Sequence, residues 1–500
     1  MTKGMILLAL GVAASVFAAG SEAADAAQIR DRDALRTLVQ KHADVNLPQP
    51  DGTTALHWAA HWNDLEAVQL LLGSGANAKA ANRYGSTPLS EAVVQGSAAM
   101  VEALLKAGAD ANTVATADGE TVLMTASRAG NLDAVTALLQ HGGDVNKKES
   151  YKGQTALMWA AAERHLNVVA ALLDHGADWK ILSSERENKM PKLSAASSVT
   201  PMSKGGLTAL MFCAREGDMA TARLMLDRGA DVNQPGGDGV TALVVALMNK
   251  HYAFAKFLLD RGADPNLADT KGLAALYAAV DSRNEDYSAL PSRAGEEPPA
   301  AALEAIGALL DHGADPNAKL TKNLPGRSGM DSGDLTLDEG ATSLMRAARA
   351  GDSAAMTILL AKGADSKLTT KDGNSAFMFA AGVGYRDKNT RGSEAAALEA
   401  VKLGLTTNPD INQANAKGET ALHGAALRGA DTIAAFLIEH GAKINAKTKQ
   451  GFTPLDVAMG KSVVGQLPVP HESTVAVIKK LGGLESKEVK DPTLSAEAKK

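Results

Sequence analysis

The sequence is poor in the features that staple, anchor or electrify a protein. Its single cysteine, Cys213, excludes an intramolecular disulfide and a multi-cysteine zinc site. Aromatic residues make up only 4% of the chain, so few large side chains are available to fill a core, and the abundant alanine and glycine must let backbones approach closely. Beyond the first twenty residues no run of 18 or more apolar residues occurs, so the mature chain is expected to hold no membrane span. Neither sign of charge dominates. The 51 basic and 57 acidic residues leave a net charge of −6 with no long run of one sign, which argues against nucleic acid, a polyanion or a membrane surface as partner. What remains, 45% hydrophobic and 22% charged, is the composition of a soluble folded protein.

The N-terminus has the layout of a secretory signal. Lys3 supplies the positive charge, and Met5 to Phe17 is an apolar stretch too short to span a bilayer. Ala18, Ala19, Ser21 and Ala23 offer small-residue cleavage sites, so residues 1–23 are read as a signal peptide cut between 18 and 24. The expected location is the periplasm, or the outside of the cell, without membrane insertion after cleavage.

The strongest signal is internal repetition. DGTTALHWAA (51–60) returns as YGSTPLSEAV (84–93), DGETVLMTAS (118–127) and KGQTALMWAA (152–161). It returns again as GGLTALMFCA (205–214), DGVTALVVAL (238–247), KGLAALYAAV (271–280), EGATSLMRAA (339–348), DGNSAFMFAA (372–381), KGETALHGAA (417–426) and QGFTPLDVAM (450–459). Seven of the ten spacings between the turn glycines, Gly52 to Gly451, are 33 or 34 residues; the other three are 53, 68 and 45, each holding an insert. A leucine pair followed by Gly-Ala-Asp or Gly-Ala-Asn closes most repeats, as at Leu71-Leu72, Leu104-Leu105 and Leu172-Leu173.

Each repeat can be derived from these residues. The glycine suits a turn needing positive φ. The threonine two residues on (Thr54, Thr121, Thr155, Thr208, Thr241) caps a first helix whose leucine and alanines form the packing face. Gly96, Gly130, Gly217 and Gly351 end that helix, and the leucine pair is the buried stripe of a second one. The histidine before the closing glycine (His141, His175, His312, His440) meets the last carbonyls of the second helix. Neither helix buries its face alone, so repeats must stack.

This pattern resembles the ankyrin repeat family, whose motif is a turn, two antiparallel helices and T-P-L-H-x-A-A. The resemblance covers residues 51–483 and implies an all-α solenoid of about 11–12 helix-turn-helix repeats with loop inserts. The family's histidine is kept at His57 and His423, whereas Met124, Met158, Met211, Met345 and Met378 stand there in other repeats as core filler. Trp58, Trp159, Phe212 and Phe379 fill the x position and are expected to pack between repeats. Residues 24–50, with Leu35, Leu38 and Val39 in helical spacing, read as a degenerate capping repeat, and 484–500 as a charged, frayed tail. Inserts at 181–204, 284–300, 320–338 and 384–394 break the period.

No catalytic constellation emerges, and no catalytic residue, metal or cofactor is assigned. His57 and His61 are four apart, but HWAAH lacks the glutamate of a zinc protease motif. Asp331, Asp334, Asp338 and Glu339 do not follow the calcium-loop spacing. Gly460-Lys461-Ser462 lacks the upstream glycine of a phosphate loop, no G-x-S-x-G elbow occurs, and Cys213 stands where sister repeats carry alanine. The resemblance implies a monomer that binds another protein through its concave face and turn tips, as scaffold or adaptor. The alternatives are an inhibitor or immunity-type binder of a secreted protein and an accessory subunit of a periplasmic enzyme. The ends of the first helices supply the candidate contacts: His61, Trp62, Arg128, Glu163, Arg164, Arg215, Glu216, Arg349 and Arg428.

Overall fold

The computed structural model describes residues 21–185, 205–284, 299–324, 337–385, 393–461 and 469–489. The chain divides into two compact units, residues 1–178 and 179–500. The first holds five helix pairs: α1 (Glu22–Gln28) and α2 (Arg32–Gln40), α3 (Ala55–His61) and α4 (Leu65–Gly73), α5 (Pro88–Val94) and α6 (Ala98–Lys106), α7 (Val122–Arg128) and α8 (Leu132–Gln140), α9 (Ala156–Ala162) and α10 (Leu166–Asp174). The second holds seven. They are α11 (Ala209–Glu216) and α12 (Met219–Asp227), α13 (Ala242–Met248) and α14 (Tyr252–Asp260), α15 (Ala275–Arg283) and α16 (Pro299–Asp311), α17 (Ser343–Ala350) and α18 (Ser353–Ala361). Then come α19 (Ala376–Ala381) and α20 (Glu394–Leu405), α21 (Ala421–Arg428) and α22 (Asp431–Glu439), α23 (Pro454–Ala458) and α24 (Glu472–Lys480). Extended structure among the described residues is confined to three isolated bridges. Within each unit first helices pack on neighbouring first helices, α3 between α1 and α5, α17 between α15 and α19.

The first helix starts where the expected threonine caps it. Thr87, Thr121, Thr155, Thr208, Thr241, Thr342 and Thr453 adopt extended backbone and accept the N–H three residues on. Each such bond stabilises by about 1 kcal/mol. The third helical residue reciprocates. His57 and His423 accept the N–H of Thr54 and Thr420 at Nδ1, each at 3.1 Å, and Nε2–H donates to the carbonyls of Ser86 (3.0 Å) and Phe452 (3.2 Å) in the next repeat. Burial pushes both imidazoles below their ordinary pKa, which keeps them neutral in this tautomer. In the methionine repeats, sulfur takes the same place: Sδ of Met124 and Met211 accepts the N–H of Thr121 (3.4 Å) and Thr208 (3.5 Å). All five methionines of the series are buried.

The leucine pair is unequal. Leu71, Leu104, Leu138, Leu172, Leu258, Leu309 and Leu359 are fully buried, whereas Leu72, Leu173 and Leu360 lie only half-buried at the edge. Each fully buried leucine contributes about 1.5–3 kcal/mol. An asparagine ladder then joins the turns of successive repeats. Asn46 Nδ2 donates to the Gly75 carbonyl while its Oδ1 accepts the N–H of Asn77, and Asn112, Asn146, Asn233, Asn266, Asn317 and Asn412 repeat the donation one repeat further on. Lys79, Lys180 and Lys367 occupy the corresponding place elsewhere and leave those rungs unmade.

His175, His312 and His440 each donate from Nδ1 to the carbonyl four residues back at 2.8 Å, as their position implies. His141 differs: its Nε2 lies 3.8 Å from Glu102 instead. The break between the two helices needs a left-handed residue, and Gly96, Gly130, Gly217 and Gly351 supply it. Asn63, Arg30, Arg164 and Lys250 do so as well, with φ between 56° and 62°, although only glycine adopts it without steric cost.

Helix α1 lies partly inside the stretch read as a leader, with Ala23, Ala24, Ala26 and Ala27 buried against α3. At the other end the tail begins pinned: Asp456 accepts the Ser486 N–H (2.9 Å), Lys461 bridges Asp456 and Glu485, and Thr453 donates to the Leu484 carbonyl. These bonds hold the buried Asp456 carboxyl well below the usual carboxylate range despite the opposing effect of burial. Residues 1–20, most of each insert (186–204, 285–298, 325–336, 386–392), with Asp331 and Asp334, residues 462–468, with Ser462, and residues 490–500 lie outside the described residues.

Candidate functional site

The candidate contacts stand at the C-terminal ends of first helices, where the left-handed break turns the chain and leaves the last side chains at the edge of each repeat. The first unit places His61 at the end of α3 and Trp62 just after it, Arg128 on α7, and Glu163 and Arg164 after α9. The second places Arg215 and Glu216 on α11, Arg349 on α17 and Arg428 on α21.

Around α3 three aromatic rings form one cluster. The Trp58 and Trp62 rings are near-parallel with centroids 6.3 Å apart, and His61 stands edge-on to both at 5.7 Å and 4.8 Å. Trp62 is half-buried by α1: its Nε1–H donates to the Gln28 carbonyl (3.0 Å) and the Arg30 guanidinium lies 4.9 Å from its ring. Trp58 donates to Gln49 Oε1 at 2.8 Å. His61 Nδ1 lies 3.0 Å from Glu91 Oε2, and its side chain stays 42% exposed.

The arginines divide by environment. Arg128 is exposed, pairs with Glu120 at 3.1 Å and lies 4.9 Å over Trp159. Arg215 pairs with its own neighbour Glu216 at 2.8 Å and covers Phe212 at 4.7 Å. Arg349 is only 4% exposed, and its guanidinium donates to the carbonyls of Val383 (3.1 Å) and Gly384 (2.7 Å), so the side chain is drawn into the fold rather than offered at the edge. Arg428 donates to the Ser393 carbonyl at 3.3 Å and covers Tyr385 at 4.9 Å; burial lowers its pKa. Arg349 and Arg428 therefore hold residues 383–385 and 393, the chain on either side of the insert. Glu163 and Arg164 are exposed.

At the x position Phe212 and Phe379 are buried, as expected between repeats, but Trp58 and Trp159 are only half-buried. His57 commits both ring nitrogens to the framework, and Lys461 is held between Asp456 and Glu485. Glu339 pairs with Lys371 at 2.9 Å, and Asp338, whose carboxyl burial pushes upward, lies beside it. Among the described residues no three metal-ligating side chains converge.

The sequence did not reveal two sets of residues. His165, His251 and His471 stand at the N-cap position of second helices without a side-chain cap bond, and instead point Nε2 at carbonyls of Arg128 (2.9 Å), Arg215 (3.0 Å) and Leu427 (3.1 Å) in the preceding repeat. A side chain at Gly130 or Gly429 would strike these rings at 2.6 Å and 2.4 Å, so glycine there permits the stack. The signal was present, since sister repeats carry Asp64, Asn131, Asp218 or Asp352 at that place. The second set is apolar: Tyr84, at a turn tip, is 80% exposed and Val94, at the end of α5, 65%.

The family described as "Ankyrin repeats (3 copies)" matches residues 23–115, 108–183, 188–269, 210–320 and 393–468, most of the chain. Human neurogenic locus notch homolog protein 1 is 42% identical over 64 residues, 13% of this chain and 2% of that protein. Palmitoyltransferase AKR1 of Lachancea kluyveri is 37% identical over 73 residues, 15% of this chain and 10% of that protein. The chain thus spans a small part of the length of these relatives. The crystal structure of the human ASB11 ankyrin repeat domain aligns with 26% identity and a TM-score of 0.39, covering 49% of this chain and 99% of that one.

Proposed function

Because the chain belongs to the ankyrin-repeat family, whose repeats generally mediate protein–protein interaction, we propose that it is an exported, non-catalytic binding protein, a scaffold or adaptor for another protein. The observation that carries this reading is the pair Tyr84 and Val94, two large apolar side chains left in solvent by the repeats of the first unit. Neither contributes to the core, and a side chain of this kind is the material of an interface anchor. His61, Arg128, Glu163 and Arg164 lie at the ends of first helices of the same unit and would supply polar contacts beside such an anchor. Export to the periplasm rests on Lys3 and the apolar stretch Met5 to Phe17. Cleavage before Ser21 leaves α1 whole, whereas a cut after Ala23 removes part of it.

The test is expression of the full chain with a C-terminal tag, cell fractionation and cross-linking in place, beside Tyr84→Ala/Val94→Ser. A specific partner in the periplasmic fraction, weakened at least tenfold by the double substitution, is the expected result. A chain retained in the cytoplasm overturns export, and a partner indifferent to the substitutions moves the binding face elsewhere.

A further inference from the structure

Four repeats carry an aromatic residue at the x position, and three of them are covered by an arginine of this chain. Arg128 lies over Trp159 at 4.9 Å, Arg215 over Phe212 at 4.7 Å and Arg349 over Phe379 at 5.9 Å. In the first two the same guanidinium also meets a carboxylate, Glu120 at 3.1 Å and Glu216 at 2.8 Å. Twice, therefore, the fold sets an aromatic face, a cation over it and an acid closing the pair. Both contacts suit a guanidinium, which stacks on π faces and pairs with carboxylates through its N–H fork.

Trp58 is the exception. Among the described residues no guanidinium or ammonium covers its ring; its ring neighbours are Trp62 and the edge of His61. The acid beside this cluster is Glu91, the x residue of the next repeat. It is 26% exposed, and no lysine or arginine among the described residues pairs with it. One oxygen accepts the Ser86 hydroxyl at 2.6 Å and the other faces His61 Nδ1 at 3.0 Å. A carboxylate has acceptor sites for about four bonds, so each oxygen keeps capacity. Aromatic face and acid are both present here, while the cation that joins them at Arg128 and Arg215 is not supplied by the described residues.

We propose that Trp58, His61 and Glu91 receive one cationic side chain, arginine or lysine, from a protein partner. The proposal rests on the protein-binding reading above and gives that partner a chemistry: a basic residue that lies over Trp58 and pairs with Glu91. His61, half-exposed between the two, orients Glu91 and lines the approach. Gln49 fixes the Trp58 ring through Nε1, so the aromatic face is set before the partner arrives.

The test is a titration of the full chain with blocked Gly-Arg-Gly, Gly-Lys-Gly and Gly-citrulline-Gly peptides, following the Trp58 indole N–H by NMR; citrulline keeps the shape of arginine without its charge. Saturable shifts with the arginine or lysine peptide, absent with citrulline and about fivefold weaker in Kd for Glu91→Gln, are expected. A Trp58→Leu variant of unchanged melting temperature should lose the response at the His61 ring. Equal shifts with citrulline, indifference to Glu91→Gln, or no shift at all overturns the proposal. A cross-linked partner whose capture depends on Tyr84 and Val94 but not on Glu91 overturns it too while leaving the protein-binding reading intact. Charge-dependent peptide shifts in a chain that captures no partner in the cell do the opposite: they support the cation site and overturn the protein-binding reading.

Discussion

Replacing Asp352 by alanine should destabilise the second unit by about 3 kcal/mol. The side chain does three things at once. It caps α18 by accepting the Ala355 N–H, pairs with Arg283 through Oδ2 at 2.7 Å, and accepts from Asn284 Nδ2 at 2.9 Å. Asp352 is 6% exposed and Arg283 17%, so alanine takes from a largely buried guanidinium the carboxylate that faces it. Removing one member of a buried pair costs about 3–5 kcal/mol. The low end applies because Arg283 retains some access to water. A double-mutant cycle separates the causes: in Asp352→Ala/Arg283→Met no guanidinium faces the vacated carboxylate site, and the loss should fall clearly below that of the single variant. Burial alone would raise the Asp352 carboxyl; the hydrogen bonds from Arg283 and Asn284, with the guanidinium's charge, outweigh it and hold the pKa below its ordinary value. A depressed carboxylate stabilises above its unfolded pKa of about 4 and loses that stabilisation as pH falls through the lower folded value. The gap between wild type and Asp352→Ala should therefore be full at neutral pH and shrink in acid below about pH 4. Hydrogen exchange of α17 and α18 amides, with urea melts at several pH values, reads it. A single-variant loss under about 1 kcal/mol, or a double variant no better than the single, would refute the reasoning.

Lys79→Asn should stabilise the first unit by about 1 kcal/mol, because it restores a rung donating to the Gly108 carbonyl as Asn46 does to Gly75; an unchanged urea midpoint refutes it. Arg164→Gly relieves a non-glycine residue at φ 62° and should gain about 1 kcal/mol, yet weaken partner capture if Arg164 is a contact; a lower melting temperature contradicts the strain argument. Cys213 is fully buried and its thiol is pushed far above the ordinary range by desolvation, so a thiol reagent should label it only on unfolding. Stoichiometric labelling of the native chain within minutes would show the repeat to be open.

The solenoid was legible because its determinants are local. A threonine cap, a leucine pair and a glycine break recur at fixed spacing, and each acts within one helix pair. What escaped is set between repeats or by context. Helix α1 escaped because Glu22–Gln28 has only alanines to bury and its first residues overlap the stretch 18–24 read as a cleavage region. The break after α9 has no glycine to announce it, since Arg164 is held left-handed by its neighbours. His165, His251 and His471 replace acidic or amide caps, and the carbonyls they meet lie 37, 36 and 44 residues earlier. The candidate contacts were found by position in the repeat, which locates an edge but not what neighbours it.

Arg128 and Arg349 show how far position carries. Both stand seven residues after the capping threonine, and both face the aromatic residue of the next repeat. Arg128 stays exposed because α9 runs a full seven residues, Ala156–Ala162, before its break, which leaves the guanidinium between Trp159 and Glu120 with one side in water. Arg349 is buried because α19 ends early at Gly382, and the chain beyond it turns the Val383 and Gly384 carbonyls onto the guanidinium. One residue type at one repeat position thus has opposite availability, decided by how the following helix ends. A repeat alignment can nominate contacts, but a neighbour's helix terminus decides which of them a partner can reach. The same logic isolates Trp58: the arginine before it, Arg30, is spent on Trp62 through both its side chain and the Trp62 carbonyl, so α3 keeps an aromatic face that its sister repeats cover.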